Sequence, residues 1–385
     1  MDHRSSDFKI DKESQMETKF KNKVKWGMPT AYFLPLCLIV LFELLKGKQE
    51  IMEVWVFGVL APVAQCLGRL WSVFPLSGME LLIAFTVVWV VVWTVRAIVL
   101  VVRSRDWKNF IRRLLALTAA GLWIWCGICW MWNVTYYAPA FSQKSGLTIE
   151  TYSVEELKQV TAYFAQQAGE LAGQVERDDE GHFVRNTWEY LEQGTSIYSA
   201  IEEEFPFLHM ESVKAKPILC SRLQSMMGFT GMYFPFTGEA NVNVDAPAAL
   251  FPVTIAHEMA HQRMVAAELE ANFVGIAACL SCDNVTFQYS GALLGLIQLC
   301  NALYPVDRDA WYEITAQYFT PELAVDWNDN NDYWHSLESR VEEVAEQAYD
   351  SFLKGNDQEL GMRSYGACVD LLVAYYGADA DRMAG

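Results

Sequence analysis

The chain has 385 residues, 52% of them hydrophobic, and a formal net charge of −18. It is long enough for one large or two modest domains. So acidic a protein would repel phosphate, which excludes a nucleic-acid partner. The charge is also uneven: residues 1–136 hold 16 basic and 10 acidic side chains, residues 137–385 hold 13 and 37.

The N-terminal tail, residues 1–25, carries seven basic residues: Arg4, Lys9, Lys12, Lys19, Lys21, Lys23 and Lys25. Three apolar runs follow, about 26–45, 81–102 and 114–132, with Glu43, Arg96 and no charge, respectively. Each is long enough to cross a hydrocarbon core of about 30 Å, and we read all three as transmembrane helices within a membrane region 26–137. The first apolar stretch is long and no small-residue cleavage site follows it, so it is expected to remain as an anchor. Both the basic tail and the five basic residues between Arg103 and Arg113 then belong in the cytoplasm by the positive-inside rule. Three crossings place residues 138–385 outside the plasma membrane, with Trp123, Trp125, Trp130, Trp132, Tyr136 and Tyr137 as an aromatic belt. The segment Val54–Gly68 is about 15 residues, short for a span and more typical of a re-entrant or interfacial piece. As a fourth span it would return the C-terminal domain to the cytoplasm and put the Arg103–Arg113 loop outside. Of nine cysteines, five lie in the outer domain without regular spacing, which fits core residues or one bridge rather than a disulfide scaffold.

In the outer domain, Ser153 and Glu156 form a capping box before an amphipathic helix with Leu157, Val160, Phe164, Leu171 and Val175 on one face. A second helix is predicted over Phe183–Phe205, ending in the acidic run Glu202-Glu203-Glu204 read as a solvated face. GFTGMYFPFTGEANVNV, residues 228–244, changes to period two around Thr237-Gly238-Glu239 and reads as a β-hairpin, with Pro235 suited to an edge strand. Helices resume to the C-terminus, and the apolar stretch SGALLGLIQLCNAL from Ser290 reads as a core helix. The architecture is therefore mainly α: three N-terminal transmembrane helices, then an α+β domain with a small antiparallel hairpin or sheet.

The sequence His257-Glu258-Met259-Ala260-His261 carries the chemistry. Pro252 suits the first turn of a helix on which the two histidines, four apart, share one face and can share a metal ion. Glu258 beside them is the general base expected for hydrolysis by such an ion. A catalytic zinc needs a third protein ligand, and Glu268 and Glu270 are the nearest candidates. On one straight helix Glu268 would lie about 10 Å further along the axis than His261. The chain must therefore turn between Gln262 and Ala267, after which Glu268 and Asn272 share a face, the first on metal and the second supporting a ligand. The hairpin either lays substrate along an edge formed by Tyr233, Phe234 and Glu239 or packs Tyr233, Phe234 and Phe236 into the core, with Glu239 equally suited to cap the turn. Tyr365 and His335 are the candidate donors to a tetrahedral oxyanion.

HEMAHQR followed by ELEANF, with GFTGMYFPFTGEANVN upstream and FQYSGALLGLIQLCNAL and GMRSYGACVDLL downstream, resembles the bacterial family called domain of unknown function 3810. The likeness includes the membrane helices and so covers most of the chain. More distantly, the Glu-x-x-Ala-Asp/Asn pattern after HExxH is similar to the third-ligand helix of membrane zinc endopeptidases related to the CAAX-processing and heat-shock proteases. That resemblance implies a zincin-like domain and favours Glu268. It also leads to a glycine where this chain has Met264, at the turn that must follow the helix. The reading is a membrane-anchored zinc metallohydrolase of the protease type, with the lipid bilayer and a peptide or protein substrate as partners. The competing class is a membrane-tethered sensor or binding protein that keeps the zinc site without turnover; a purely structural zinc site would have no need of Glu258.

Overall fold

The computed structural model describes residues 30–338, 340–356 and 366–384. The basic tail, the first residues of the 26–45 run and Tyr365 lie outside them. Contacts divide the chain into two units, one of residues up to Lys48 with Ile83–Val134, the other of Gln49–Leu82 with Thr135 onward.

In the first unit, α1 (Thr30–Leu45) meets α4 (Trp107–Met131) through Phe42 against Trp130 and the Trp130 indole N–H donating to the Leu38 carbonyl at 3.0 Å. Asp106 caps α4 by accepting from the Asn109 N–H at 3.0 Å. The expected spans 81–102 and 114–132 fall inside α3 (Gly78–Ser104) and α4. Among the described residues three helices are long and apolar enough to cross a membrane, Gln49–Ser72, Gly78–Ser104 and Trp107–Tyr137, and α1 is a shorter apolar helix.

The first of these changes the length read for Val54–Gly68. That segment is the interior of α2 (Gln49–Ser72), a helix of 24 residues, because the charged residues Glu50, Glu53 and Arg69 bound the apolar run without ending the helix. One turn, Val56–Leu60, is a π-turn. Pro62 explains it: the ring has no N–H to give and crowds the carbonyl four residues back.

In the second unit, α5 (Val154–Ala172) begins at the capping box of Ser153 and Glu156 and buries Leu157, Val160 and Phe164. It packs on α8 (Val285–Leu303), the core helix anticipated from Ser290 onward, where Gly295 leaves room for the Phe164 ring. Between them and the sheet lies α6 (Phe251–Gln262), buried at every position except His257, its polar residues included. The helix α7 (Glu268–Ser281) doubles back along α6, and Gly275 permits this approach: a Cβ there would stand 3.0 Å from the His257 backbone nitrogen. The remaining long helices are α9 (Arg308–Tyr318), α10 (Pro321–His335), α11 (Arg340–Gly355) and α12 (Gly366–Ala384).

The sheet has three strands in the order β1 (Lys216–Ile218), β3 (Glu239–Asn243), β2 (Gly231–Phe234). The hairpin pairs β2 and β3 antiparallel, with Tyr233 opposite Ala240 and Phe234 opposite Glu239. β1 joins parallel to β3 and has no signature in its three residues. Two further expectations change. Phe183–Phe205 is not one helix but two short ones, Thr187–Gln193 and Ser199–Glu204, because Gly194 is pressed against Ile255 and Ile197 and Tyr198 turn into the core. The acidic end is not all solvated: Glu202 pairs with the buried Arg263 at 2.7 Å. All nine cysteines are free thiols.

Arg177 ties the end of α5 to α10 through an ion pair with Asp326 at 2.7 Å, and Asp326 also accepts from the Tyr289 hydroxyl. With Asp326 1% exposed, Asp326→Ala strands a mostly buried guanidinium. We expect a loss of about 3 kcal/mol in the unfolding free energy of the detergent-solubilised protein, measured by denaturant titration.

Candidate metal centre

The geometry of the centre begins with how α6 ends. Arg263 follows the last helical residue and Met264 adopts φ 65°, in the left-handed region. The Met264 N–H donates to the His261 carbonyl at 3.0 Å and the Val265 N–H to the Ala260 carbonyl at 3.2 Å. This pair of bonds is a Schellman turn, which ordinarily places glycine where Met264 stands. A side chain there costs about 1–2 kcal/mol. Met264 is 7% exposed, and burial of a side chain that size stabilises by about 1.5–3 kcal/mol, enough to offset the strain. Arg263 holds the same corner: it lies 3.6 Å above the Tyr198 ring and donates to Glu202, Ser212 and the Met259 carbonyl.

The turn brings Glu268 back over the histidines. Its Oε2 lies 3.2 Å from His257 Nε2 and 3.6 Å from His261 Nε2, and the three ligand atoms all fall within 4.8 Å of one another. Tetrahedral ligands about 2.05 Å from a zinc ion stand about 3.3 Å apart, so the three groups fit one ion with small adjustments. The same turn also fixes a tautomer. Val265 presents its carbonyl to His261 Nδ1 at 2.7 Å, so Nδ1 carries the proton and Nε2 faces the centre, where it could hold an ion. Burial works against the His261 imidazolium, but the Glu268 carboxylate prevails and pushes its pKa up to about 9. A metal ion would take the place of that proton.

Glu258 is buried on the other side. Burial pushes its carboxyl up to about 7, with the two histidines pulling down, and the Tyr233 backbone N–H donates to it. Gly231 makes this closeness possible, since a Cβ there would sit 2.4 Å from Glu258 Oε1. Two buried atoms, Glu258 Oε2 and His257 Nδ1, have no hydrogen-bond partner among the described residues. An unpartnered buried carboxylate oxygen next to three converging ligands is placed to accept a proton from a water at the centre.

The other candidates separate clearly. Glu270 accepts from the Phe141 and Ser142 N–H groups at 2.8 and 3.0 Å, capping a short helix, and takes no part in the cluster. Asn272 follows Glu268 by one turn, half-buried, and its side chain makes no hydrogen bond to either histidine among the described residues. His335 is corrected as an oxyanion donor: its ring is 82% exposed at the end of α10 and pairs with Glu338 at 3.1 Å. Glu239 is corrected as a substrate-edge residue, being fully buried where it pairs with Lys216 at 2.7 Å and accepts from the Met79 N–H. The Tyr233 ring is buried while Phe234 is half-buried, and β2 itself is the sheet edge beside Glu258.

One residue escaped the sequence reading. Tyr349, on α11, donates its hydroxyl to Glu268 Oε1, leaving Oε2 for the histidines. Phe229 meets its ring edge-on at 5.6 Å and Phe352 stacks on it at 6.3 Å. Burial and the neighbouring carboxylate hold its pKa well above the ordinary phenol value, so it remains a donor. No spacing relates it to HExxH; the only signal was its place on the apolar side of an amphipathic helix.

A family model described as a protein of unknown function, DUF3810, matches residues 56–373. The chain belongs to the DUF3810 family. The match runs from within α2 to the first half of α12 and includes every residue of the centre, but its description assigns no activity. No curated protein and no solved structure matches the chain.

Tyr349→Phe removes the bond that orients Glu268. We expect metal affinity to fall about 10- to 100-fold, measured by competition with a chromophoric chelator.

Proposed function

We propose that this DUF3810 protein is a membrane-anchored zinc-dependent hydrolase that cleaves peptide bonds on the extracytoplasmic side. The observation that carries the reading is the convergence of His257, His261 and Glu268 with a general base, Glu258, whose inner oxygen is free. A structural site uses four protein ligands and needs no base; three ligands plus a carboxylate is the catalytic pattern. When bound, a zinc ion would lower the pKa of a water and polarise a carbonyl.

The chain's own residues account for the rest. Glu258 takes the proton from the attacking water and passes it to the leaving amine, and its raised pKa near neutrality suits both transfers. Tyr349 occupies Oε1 of Glu268, so Oε2 is the oxygen that would hold the ion. Among the described residues β2 pairs with β3 alone, and its other edge faces Glu258 through the Tyr233 N–H, so an extended peptide laid alongside that edge would pass beside Glu258. The orientation follows from charge: the apolar run 26–45 and the helices α3 and α4 are the three crossings, the basic loop from Arg103 to Arg113 stays inside, and the acidic C-terminal part lies outside.

Purified full-length protein is expected to hold about one zinc per chain, lost in His257→Ala. Glu258→Gln is expected to retain the metal and to lose at least 100-fold in cleavage of a fluorogenic peptide library. Undiminished cleavage in Glu258→Gln would move the chemistry elsewhere.

A further inference from the structure

The apolar helix α2 takes no part in the centre, yet it is held along the unit that contains it. At its start, Gln49 donates to Gln143 at 2.8 Å and Glu53 pairs with Lys144 at 3.4 Å. Midway, Ala64 lies directly under the hairpin turn, where a Cβ on Gly238 would come within 2.2 Å of the Ala64 carbonyl oxygen. Gly68 meets Val213, Arg69 pairs with Glu211, and Lys216 donates to the Trp71 carbonyl at 2.6 Å. The stripe Met52, Val56, Leu60, Ala64 and Gly68 is buried by these contacts. From Gln49 to Trp71 is about 33 Å of helix, roughly the thickness of the hydrocarbon core.

The outer face is different. Val54 is 70%, Val63 45% and Leu70 63% exposed, and no charge interrupts the helix between Val54 and Gly68. The connector to α3 continues the face, with Val73 and Phe74 exposed and its Leu76 carbonyl held by Lys216 at 3.1 Å. If α2 stood upright in the bilayer, the charged flank fastened along its length would enter hydrocarbon, at several kcal/mol for each charge. If it lies flat, only the apolar face enters lipid, and Glu50, Glu53 and Arg69 at its ends reach the headgroups.

We infer that α2 does not cross the membrane but lies in the bilayer surface, its outer face and the Val73–Leu76 connector seated among lipid acyl chains. The chain's other apolar helices supply the anchor, and α2 supplies the seat on which the metal-centre unit rests. This assignment holds whether or not the centre cleaves peptides.

Depth measurement decides it. Val54→Cys, Val63→Cys, Leu70→Cys and Phe74→Cys are made singly in full-length protein with Cys37, Cys66 and Cys220 replaced by serine. Each is labelled with a nitroxide and reconstituted in phosphatidylcholine–phosphatidylglycerol vesicles. The relative accessibility to oxygen and to a water-soluble nickel chelate gives each label's depth. We expect all four in lipid at shallow depth, within one helix diameter of about 10 Å of each other. An upright helix would separate positions 54 and 70 by about 24 Å, with 63 near the midplane, and would overturn the inference. Labels exposed to the nickel chelate would also overturn it, as would labels shielded from both probes, the sign of a second protein on this face.

Discussion

The left-handed turn at Met264 governs the rest of the centre. It ends α6 immediately after His261, reverses the chain so that Glu268 faces the histidines, and aims the Val265 carbonyl at His261 Nδ1. Ligand supply and ligand tautomer thus come from one backbone conformation. Methionine holds it because its buried side chain offsets the strain that glycine would avoid. Arg263 adds to this from the other side, its charge answered by Glu202 and spread over Tyr198, at a helix C-terminus where a cation is favoured.

Around that corner, small residues set the distances. Gly275 lets α7 lie against the His257 backbone and Gly231 lets β2 close on Glu258. Glu258 therefore sits between an edge strand and a buried helix, with its carboxyl pushed up to about 7 by burial, while its neighbours His257 and His261 favour ionisation. Tyr349 completes the arrangement from α11 by occupying the Glu268 oxygen that the histidines do not use. These residues come from widely separated stretches of chain, and only the packing of α6, α7 and the sheet brings them together.

Much of this was legible in the sequence, for identifiable reasons. HExxH spacing fixes two imidazoles on one helical face, and helix rise alone demands a turn before Glu268 can join them. The capping box at Ser153, the hairpin around Gly238 and the core helix after Ser290 were readable because each depends on local pattern. What failed depends on partners distant in sequence. Glu239 was expected along a substrate edge and Glu202 on a solvated face, yet Lys216 and Arg263 pair with them in the interior. His335 looked available and lies on the exposed end of α10. Tyr349 and β1 have no motif, and α2 extends past the apolar run because its end charges pair with Lys144 and Glu211 of the same unit.

The central claim is that His257, His261 and Glu268 bind one zinc ion. X-ray absorption at the zinc edge of the loaded full-length protein tests it most directly. The account predicts two imidazole nitrogens at about 2.0–2.1 Å with carboxylate and water oxygens completing the shell, and one imidazole fewer in His261→Ala. A shell without imidazole, or one containing sulfur at about 2.3 Å, would contradict it.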